Sequence, residues 1–283
     1  NSQMVIDTHT HFYDPSRPEG VPWPRPSEHK LYRTVLPEHY RALALPEGVT
    51  GTVVVEASPW LEDNQFILDL AARDTIIVGH VGHLSPGKEG FAEHLARFAA
   101  NPLYRGIRTG CPDVDDPQQA QFVADLAKLL DYDLELDVMV RPDGLAGVKK
   151  LAGRLPGLRM VLCHIAHVRV DGQAPNPVWV EGLQQLADCP NVFVKVSGLV
   201  EATGLHPAPT DLAYYVPTLD ALWNILGEDR LIYGSNWPVC ELFADYATVQ
   251  RLVTEYWADK GAQAQEKVFW RNALKAYKWV ERK

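Results

Sequence analysis

Eight short runs of aliphatic and β-branched residues recur along the chain, and segments with helical periodicity separate them. Because most runs are continuously apolar and do not alternate with polar residues, they predict parallel strands that are buried on both faces. The predicted strands are residues 4–9, 51–57, 75–82, 104–109, 134–140, 159–164, 192–197 and 231–235. This alternation predicts an α/β fold in the form of a single closed (β/α)8 TIM barrel. An open doubly wound sheet is the alternative, but no GxGxxG motif follows the first strand to favour it.

The segments between the predicted strands contain recognisable helix starts. Asp116 can cap a helix that has Pro117 in its first position, and Asn176 with Pro177 predicts a second start of this kind. Further helices are predicted at residues 60–74, 88–101 and 143–155. Because no Gly/Ser/Pro-rich linker separates these units, we expect residues 4–283 to form one barrel domain. Residues 1–3, which precede Met4, are expected to be a remnant of cloning.

The charge balance restricts the partners of this protein. Among 283 residues, 36 are acidic and 27 are basic, which gives a net charge of -9. A field of this sign repels phosphate backbones and anionic lipid surfaces, so we expect neither a nucleic-acid nor a membrane partner. No apolar run approaches the ~20 residues that are needed to cross a bilayer. The expected partner is a small molecule, and the oligomeric state stays open.

The cysteines favour a reducing compartment. The chain has four, without CxxC spacing, and it opens without a basic and then apolar signal segment. We therefore expect reduced, buried thiols in a cytoplasmic protein. These cysteines are Cys111, Cys163, Cys189 and Cys240.

The end of the first predicted strand has an HxH pattern. In a barrel of this type the active site lies at the carboxyl ends of the strands. Since side chains alternate along a strand, His9 and His11 are predicted to point the same way, into the barrel mouth. Two neutral imidazoles so placed can share one divalent metal ion. The alternative is a pair of hydrogen-bonded polar side chains without metal.

Other predicted strands also end in polar residues, which should meet His9 and His11 at one rim. They are Glu56, Arg108, Arg141, His164 with His167 beyond it, Lys195, and Asn236 followed by Trp237. His80 and His83 end strand three, and at least one of them is expected to be a core or supporting histidine. The remaining histidines are expected at the surface: His29, His39, His94 and His206. The Pro-rich residues 15–26 should lie at the mouth, as a lid or as a passive loop.

Five motifs in strand order resemble one family. They are IDTHTH at 6–11, RGIR at 105–108, VLCH at 161–164, VKVSGL at 194–199 and RLIYGSNWPV at 230–239. Together they resemble the amidohydrolase superfamily, in the amidohydrolase-2 branch of fuconolactonase-like sugar-acid lactonases and pyrone dicarboxylate lactonases. The resemblance implies an amidohydrolase-like barrel that opens a lactone, or another ester-like carbonyl, with an activated water, in carbohydrate metabolism.

The resemblance also implies roles for individual residues. His9 and His11 would hold one zinc-like divalent ion, or polarise the carbonyl directly if the enzyme is metal-independent. Arg108, Arg141 and Lys195 would bind the substrate's hydroxyls or carboxylate and stabilise the oxyanion. His164 would donate a hydrogen bond to the carbonyl or assist proton transfer. Trp60 and Trp237 would provide an apolar wall, or else pack in the core. A two-metal site is not expected, because residues 134–140 lack the histidine and the carboxylated lysine of binuclear members.

Three positions depart from the family pattern. Asn236 stands where the family has the aspartate of Gly-Ser-Asp-Trp-Pro, Glu56 stands at a frequent glutamine, and Cys163 replaces the aspartate of Asp-His. An amide cannot accept a proton from water near neutral pH, so the usual general base is absent. Asn236 could be an inactivating substitution or a natural loss, or another residue could have taken over. Glu56 is the first candidate for takeover and His164 the second.

Two other functions stay open beside lactone hydrolysis. A non-oxidative decarboxylase or hydratase of the same superfamily would show the same HxH motif. A sugar-acid binding protein would keep the pocket without the base, and its catalysis would be weak or absent because of Asn236. Proton release from lactones, carbon dioxide release, and binding without turnover distinguish the three.

Overall fold

The computed structural model of the protein describes residues 3–283, and its eight strands run parallel in the order of the chain. They are β1 Ile6–Thr10, β2 Gly51–Val55, β3 Ile77–Gly82, β4 Tyr104–Gly110, β5 Glu135–Met139, β6 Met160–Leu162, β7 Val192–Val196 and β8 Leu231–Tyr233. The barrel closes just beyond β8. The amide of Asn236 donates to the His9 oxygen over 2.8 Å, and the amide of His11 donates to the Trp237 oxygen over 2.9 Å. The predicted TIM barrel is confirmed, and each observed strand overlaps its predicted range.

Helices pack around the outside of this barrel. They are α1 Pro37–Ala44, α2 Leu61–Arg73, α3 Phe91–Ala99, α4 Ala120–Ala127, α5 Leu145–Arg154, α6 Pro177–Leu186, α7 Val216–Leu226, α8 Tyr246–Trp257, α9 Ala262–Glu266 and α10 Asn272–Tyr277. Asn176 caps α6 as predicted, because its side chain accepts a hydrogen bond from the Val178 amide. Asp116 instead caps a 3-10 turn, Pro117–Gln119, which leads into α4. No helix within residues 3–283 is long and apolar enough to cross a membrane.

The interior of the barrel changes from apolar to polar. One buried cluster joins apolar strand residues such as Val53, Val161 and Phe193 to Tyr277 of α10. The Tyr277 hydroxyl donates to Asp137 on β5 over 2.7 Å, so the C-terminal helix is bonded to the barrel interior. Charged and polar side chains of the strands collect beyond this apolar layer, and the candidate site is built on them.

The Pro-rich loop packs on the rim of the mouth. The guanidinium of Arg17 binds both carboxylate oxygens of Asp63 on α2 over 2.7 and 2.9 Å. The ring of Trp23 lies 6.0 Å from the ring of His11 and 5.3 Å from that of Tyr13. The position at the mouth agrees with the prediction, and a lid function stays a prediction.

The four cysteines are free thiols, of which Cys163 and Cys240 are buried and the other two are half-buried.

Gly106 on β4 provides a test of the packing inside the barrel. A Cβ atom at this position would lie 2.5 Å from the backbone oxygen of Glu135, which cannot move aside easily. We expect Gly106→Ala to lower the free energy of unfolding by about 1–3 kcal/mol through overpacking. Gly153 on α5 is the matched control, because it is exposed and a Cβ there meets nothing within 4 Å.

Gly153→Ala should raise stability by up to about 1 kcal/mol, since alanine has the higher helix propensity. Urea denaturation of both variants measures the two effects. Equal stability of Gly106→Ala and the natural chain would contradict the close β4–β5 packing.

Candidate active site

Lys195 on β7 occupies the centre of the polar interior. Its side chain is fully buried, and its ammonium nitrogen lies 2.8 Å from the Thr8 carbonyl oxygen, 3.1 Å from His9 Nδ1 and 3.2 Å from Asp137 Oδ2. An ammonium group has three hydrogens and no acceptor, so these three neighbours use its whole capacity. His9 Nδ1 must therefore be an acceptor. We assign His9 the neutral tautomer that carries its proton on Nε2.

Three imidazoles surround the end of this network. The ring of His9 lies 4.9 Å from that of His11 and 4.3 Å from that of His164. Burial, assisted by the charge of Lys195, lowers the pKa of His9 well below its ordinary value. Burial and Arg108 lower the pKa of His11 to about 3, although hydrogen bonds to Val55 and Asn236 oppose this shift. Burial and His167 likewise lower the pKa of His164. All three rings are neutral at neutral pH.

His164 stands in an unusual backbone conformation. Residues 164–167 all have φ between 47° and 56°, although none of them is glycine. Such residues cost roughly 1–2 kcal/mol each. The turn is held by hydrogen bonds from His164 Nδ1 to Ser197 Oγ (2.8 Å), from His167 Nδ1 to the Val140 oxygen and from Trp179 Nε1 to the Ile165 oxygen. Backbone strain that is fixed so firmly is typical of functional sites.

The loop after β7 packs directly on this turn. Gly198 has a φ of 66°, and a Cβ atom there would lie 2.6 Å from the Cβ of His164. Only glycine satisfies both the backbone angle and the close approach. This loop continues into a short 3-10 turn, Glu201–Thr203, which brings the carboxylate of Glu201 to the mouth.

Asn236 follows β8 and meets Glu201. Its backbone is left-handed, with a φ of 61°, which asparagine tolerates better than most residues. Its Nδ2 donates to Glu201 Oε2 over 2.6 Å. Burial raises the pKa of Glu201 to about 7, although the hydrogen bond to Asn236 opposes the shift. The other carboxylate oxygen, Oε1, is buried and has no hydrogen-bond partner within residues 3–283.

The carboxylate of Asp7 fixes the strand end that presents Asn236. It accepts hydrogen bonds from the Ser235 amide (2.8 Å), the Ser235 hydroxyl (2.5 Å) and the Tyr40 and Tyr246 hydroxyls. Burial nevertheless raises the pKa of Asp7 above its ordinary value. Because this buried group joins β1 to the segment after β8, it also sets the position of Asn236 relative to His9.

Glu56 and Arg108 form an ion pair on another side of the mouth. Arg108 Nε donates to Glu56 Oε1 over 3.0 Å, and Arg108 also contacts the Glu56 backbone oxygen. Glu56 lines a narrow cavity below the Pro-rich loop, together with Arg17 and Trp23. It does not line the larger cleft, of about 420 Å³, that His164 and Asn236 face.

The larger cleft brings together only some of the predicted site residues. Its polar lining is His164, Asn236, Arg141, His167, Arg169 and Glu201. Trp60 is 40% exposed at the start of α2, and Trp237 is 1% exposed and packs on Phe12 and Tyr40. Neither tryptophan lines the cleft, and an apolar wall formed by them stays a prediction. All three hydrogens of the Lys195 ammonium have protein partners, so direct substrate binding by Lys195 stays a prediction.

The donor atoms do not fit a metal ion shared by His9 and His11. His11 Nδ1 donates to the Val55 oxygen over 2.9 Å, which leaves Nε2 as a lone-pair donor. In the tautomer assigned above, His9 Nε2 instead carries a hydrogen, because Lys195 bonds to Nδ1. A deeper group of His9, Asp137 and Cys163 has ligand atoms within 4.8 Å of one another, but the Lys195 ammonium already binds two of these residues.

Glu201 and the acidic residues of β5 are not among the site residues predicted from the sequence. Asp137 receives Lys195 and Tyr277, and Glu135 beside it is a buried carboxyl whose pKa is raised by burial and by Asp137. The position of Glu201 could have indicated a role at the mouth, because it is an acidic residue four positions after the end of the seventh predicted strand, in a chain that lacks the usual base. As expected, His80 is a buried supporting histidine. Of the predicted surface histidines, His29, His39 and His206 are exposed and His94 is half-buried.

Comparison with known proteins places the chain beside a group of hydrolases. A family model described as amidohydrolase matches residues 6–279. The L-fucono-1,5-lactonase of Burkholderia ambifaria is 32% identical over 96% of this chain and 95% of the relative. An amidohydrolase from Burkholderia multivorans is 28% identical over 98% of this chain and 99% of its own. Its crystal structure with bound HEPES has a TM-score of 0.85, and that with bound zinc has a TM-score of 0.83.

His80 allows a test of the neutral buried histidines outside the cleft. Burial lowers its pKa from 6.5 to about 4, and its Nδ1 bonds to the Val54 oxygen. As the pH falls through this interval, the unfolded chain takes up a proton that the folded protein refuses. The histidine therefore stabilises the fold above pH 6.5, and this contribution falls by up to about 1.4 kcal/mol per pH unit below it.

Urea denaturation at pH 7.5, 6 and 5 measures this loss of stability. We expect the natural chain to lose stability more steeply than His80→Gln, because glutamine does not titrate. Parallel pH dependences of the two proteins would show that folding leaves the pKa of His80 unchanged.

Proposed function

The chain belongs to the amidohydrolase family, and we propose that it is a lactonase that opens a sugar-acid or carboxylated lactone by water attack at the cleft. The proposal rests on one observation, the convergence of three neutral imidazoles at the carboxyl ends of β1 and β6. The 32% identity to a curated fuconolactonase, over nearly the whole of both chains, supports the same reaction. Lactone opening requires a donor for the carbonyl oxygen and an acceptor for the proton of water.

His9 is the donor in this proposal. It is fully buried and does not itself line the cleft, but its ring lies 4.3 Å from that of His164, which does. Its Nε2 is buried without a partner within residues 3–283, and the assigned tautomer gives it a hydrogen. The ammonium nitrogen of Lys195 lies 3.1 Å from His9 Nδ1, and its positive charge increases the acidity of that hydrogen. When water adds to the carbonyl carbon, negative charge develops on the carbonyl oxygen. A fixed donor in a buried environment stabilises this charge more than water does.

Two guanidinium groups favour a substrate that carries a carboxylate. Arg141 and Arg169 line the cleft and are exposed, and within residues 3–283 neither is in an ion pair. Arginine binds carboxylates in a bidentate manner. Arg108 is already held by Glu56. We therefore propose that Arg141 and Arg169 bind the substrate carboxylate. Arg108 has only a supporting role in this proposal, as the ion-pair partner of Glu56.

The His9 donor predicts a specific loss of activity. His9→Phe should lower kcat for lactone opening by about 10²–10³-fold, which is the usual effect of removing one oxyanion donor. His29→Gln is the control, since His29 is exposed and lies outside the cleft. Proton release from a panel of sugar-acid and carboxylated lactones, followed in a pH-stat, measures both variants.

The natural chain has to be active in this assay. Carbon dioxide release without proton release from lactones would identify a decarboxylase, and addition of water to a double bond would identify a hydratase. Tight binding of the hydroxy acid without turnover would identify a binding protein. Each of these results contradicts the proposal.

The tautomer of His9 also predicts how the enzyme responds to chelators. Because His9 Nε2 carries a hydrogen, it cannot ligate zinc while Lys195 is bonded to Nδ1. We expect kcat to stay within about twofold after dialysis against 1,10-phenanthroline, and added zinc to give no increase. Metal analysis of the dialysed protein is the control. Loss of activity that zinc restores would show that the assigned tautomer is wrong.

A further inference from the structure

Glu201 has four properties that the other carboxylates of the mouth do not combine. It lines the cleft, and its Oε2 accepts the Asn236 amide over 2.6 Å. Within residues 3–283 its Oε1 is buried without a partner, and the carboxylate is in no ion pair. Glu56 is paired with Arg108, Asp137 with Lys195, and Asp7 accepts from five donors. Because buried carboxylate oxygens are nearly always bonded, the free Oε1 calls for a partner from the cleft, such as a water molecule.

We propose that Glu201 is the general base of the lactone-opening reaction and that Asn236 is its positioning residue. The inference rests on the proposed lactonase function and assigns the proton acceptor that the reaction needs. Asn236 replaces the family's aspartate, and its Nδ2 hydrogens can be satisfied only by an acceptor such as the Glu201 carboxylate. The base has thus moved from the end of β8 to the turn after β7, while the side chain at the end of β8 keeps it in place.

The proposed step balances in protons and electrons. Water adds to the carbonyl carbon, one of its protons passes to the Glu201 carboxylate, and the carbonyl electron pair moves to the oxygen facing His9. The tetrahedral intermediate then re-forms the carbonyl and breaks the bond to the ring oxygen. That oxygen takes the proton from Glu201 as it leaves, so the carboxylate is regenerated. The product is a hydroxy acid.

The electrostatic surroundings of Glu201 suit this role. Asn236 bonds to it, and Cys240 after β8 and Tyr215 before α7 lie near enough for its charge to act on them. The other charged or titratable groups of the same cleft are Arg141 after β5 and His164, His167 and Arg169 after β6. Burial raises its pKa to about 7. A base with a pKa near the working pH combines a useful ionised fraction with a strong attraction for the proton.

Glu201→Gln is the decisive variant, because it keeps the shape of the side chain and removes the proton acceptor. We expect kcat for lactone opening to fall by about 10²–10⁴-fold with little change in KM. In the natural enzyme kcat/KM should fall on the acid side as a group with a pKa near 7 is protonated, and this acid limb should vanish in Glu201→Gln. Glu241→Gln is the matched control, since its ion pair with Arg33 lies on the turn after β8 outside the cleft.

A second pair of variants tests the exchange of the carboxylate. Asn236→Asp alone puts a second carboxylate beside that of Glu201, where the 2.6 Å hydrogen bond lies in the natural chain. Repulsion between the two charges should raise the pKa of one of the carboxyl groups and move the acid limb to higher pH. Combined with Glu201→Gln, the same Asn236→Asp restores a carboxylate at the end of β8. The double variant should recover about tenfold or more of the kcat that Glu201→Gln loses.

The outcomes separate the two proposals. A natural chain that opens no lactone overturns the lactonase function and the base together. If the natural chain is active and Glu201→Gln stays within about threefold, or keeps the acid limb, the base is wrong and the lactonase stands. Loss of turnover in Glu56→Gln but not in Glu201→Gln would assign the base to Glu56. Equal losses in Glu201→Gln and Asn236→Ala with the acid limb retained would reduce Glu201 to a structural role.

Discussion

The buried ammonium of Lys195 determines the chemistry of the mouth. It connects β7 to the backbone of β1, to the imidazole of His9 and to the carboxylate of Asp137. A buried charge is stable only when it is fully paired, so each of these partners is fixed by the cost of losing it. The same pairing decides which nitrogen of His9 holds its proton. One interaction thus orients the barrel interior and sets the tautomer that we assign to His9.

Around this fixed centre, the loops after β6, β7 and β8 build the cleft. The left-handed turn at residues 164–167 turns His164 toward His9, and Gly198 allows the next loop to approach it closely. Asp7 holds the segment after β8 in place through the backbone and side chain of Ser235. The loops after β6 and β8 are therefore positioned by buried hydrogen bonds, from His164 to Ser197 and from Ser235 to Asp7. This explains how strained backbone persists at the mouth without loss of the fold.

Desolvation acts in opposite directions on the two kinds of titratable group in the cleft. It lowers the pKa of the histidines and raises that of Glu201, because in both cases the uncharged form is favoured. Neutral imidazoles can donate or accept a hydrogen bond, and a carboxyl group with a raised pKa binds a proton readily. The division fits a reaction that moves one proton from water to the ring oxygen and develops charge on a carbonyl.

The amino-acid sequence alone determined the barrel and the rim, because continuous apolar runs predict buried parallel strands and a (β/α)8 barrel gathers the strand ends at one face. His9, His11, His164 and Asn236 could be placed at the mouth in this way. Only the tertiary structure decided the contacts on which the proposed roles depend, since the partners are distant in sequence. Arg108 holds Glu56, Lys195 sets the tautomer of His9, and Glu201 reaches Asn236 across 35 residues only after β7 and β8 lie side by side. The burial that shifts the pKa of Glu201 arises from that packing, and no local pattern encodes it.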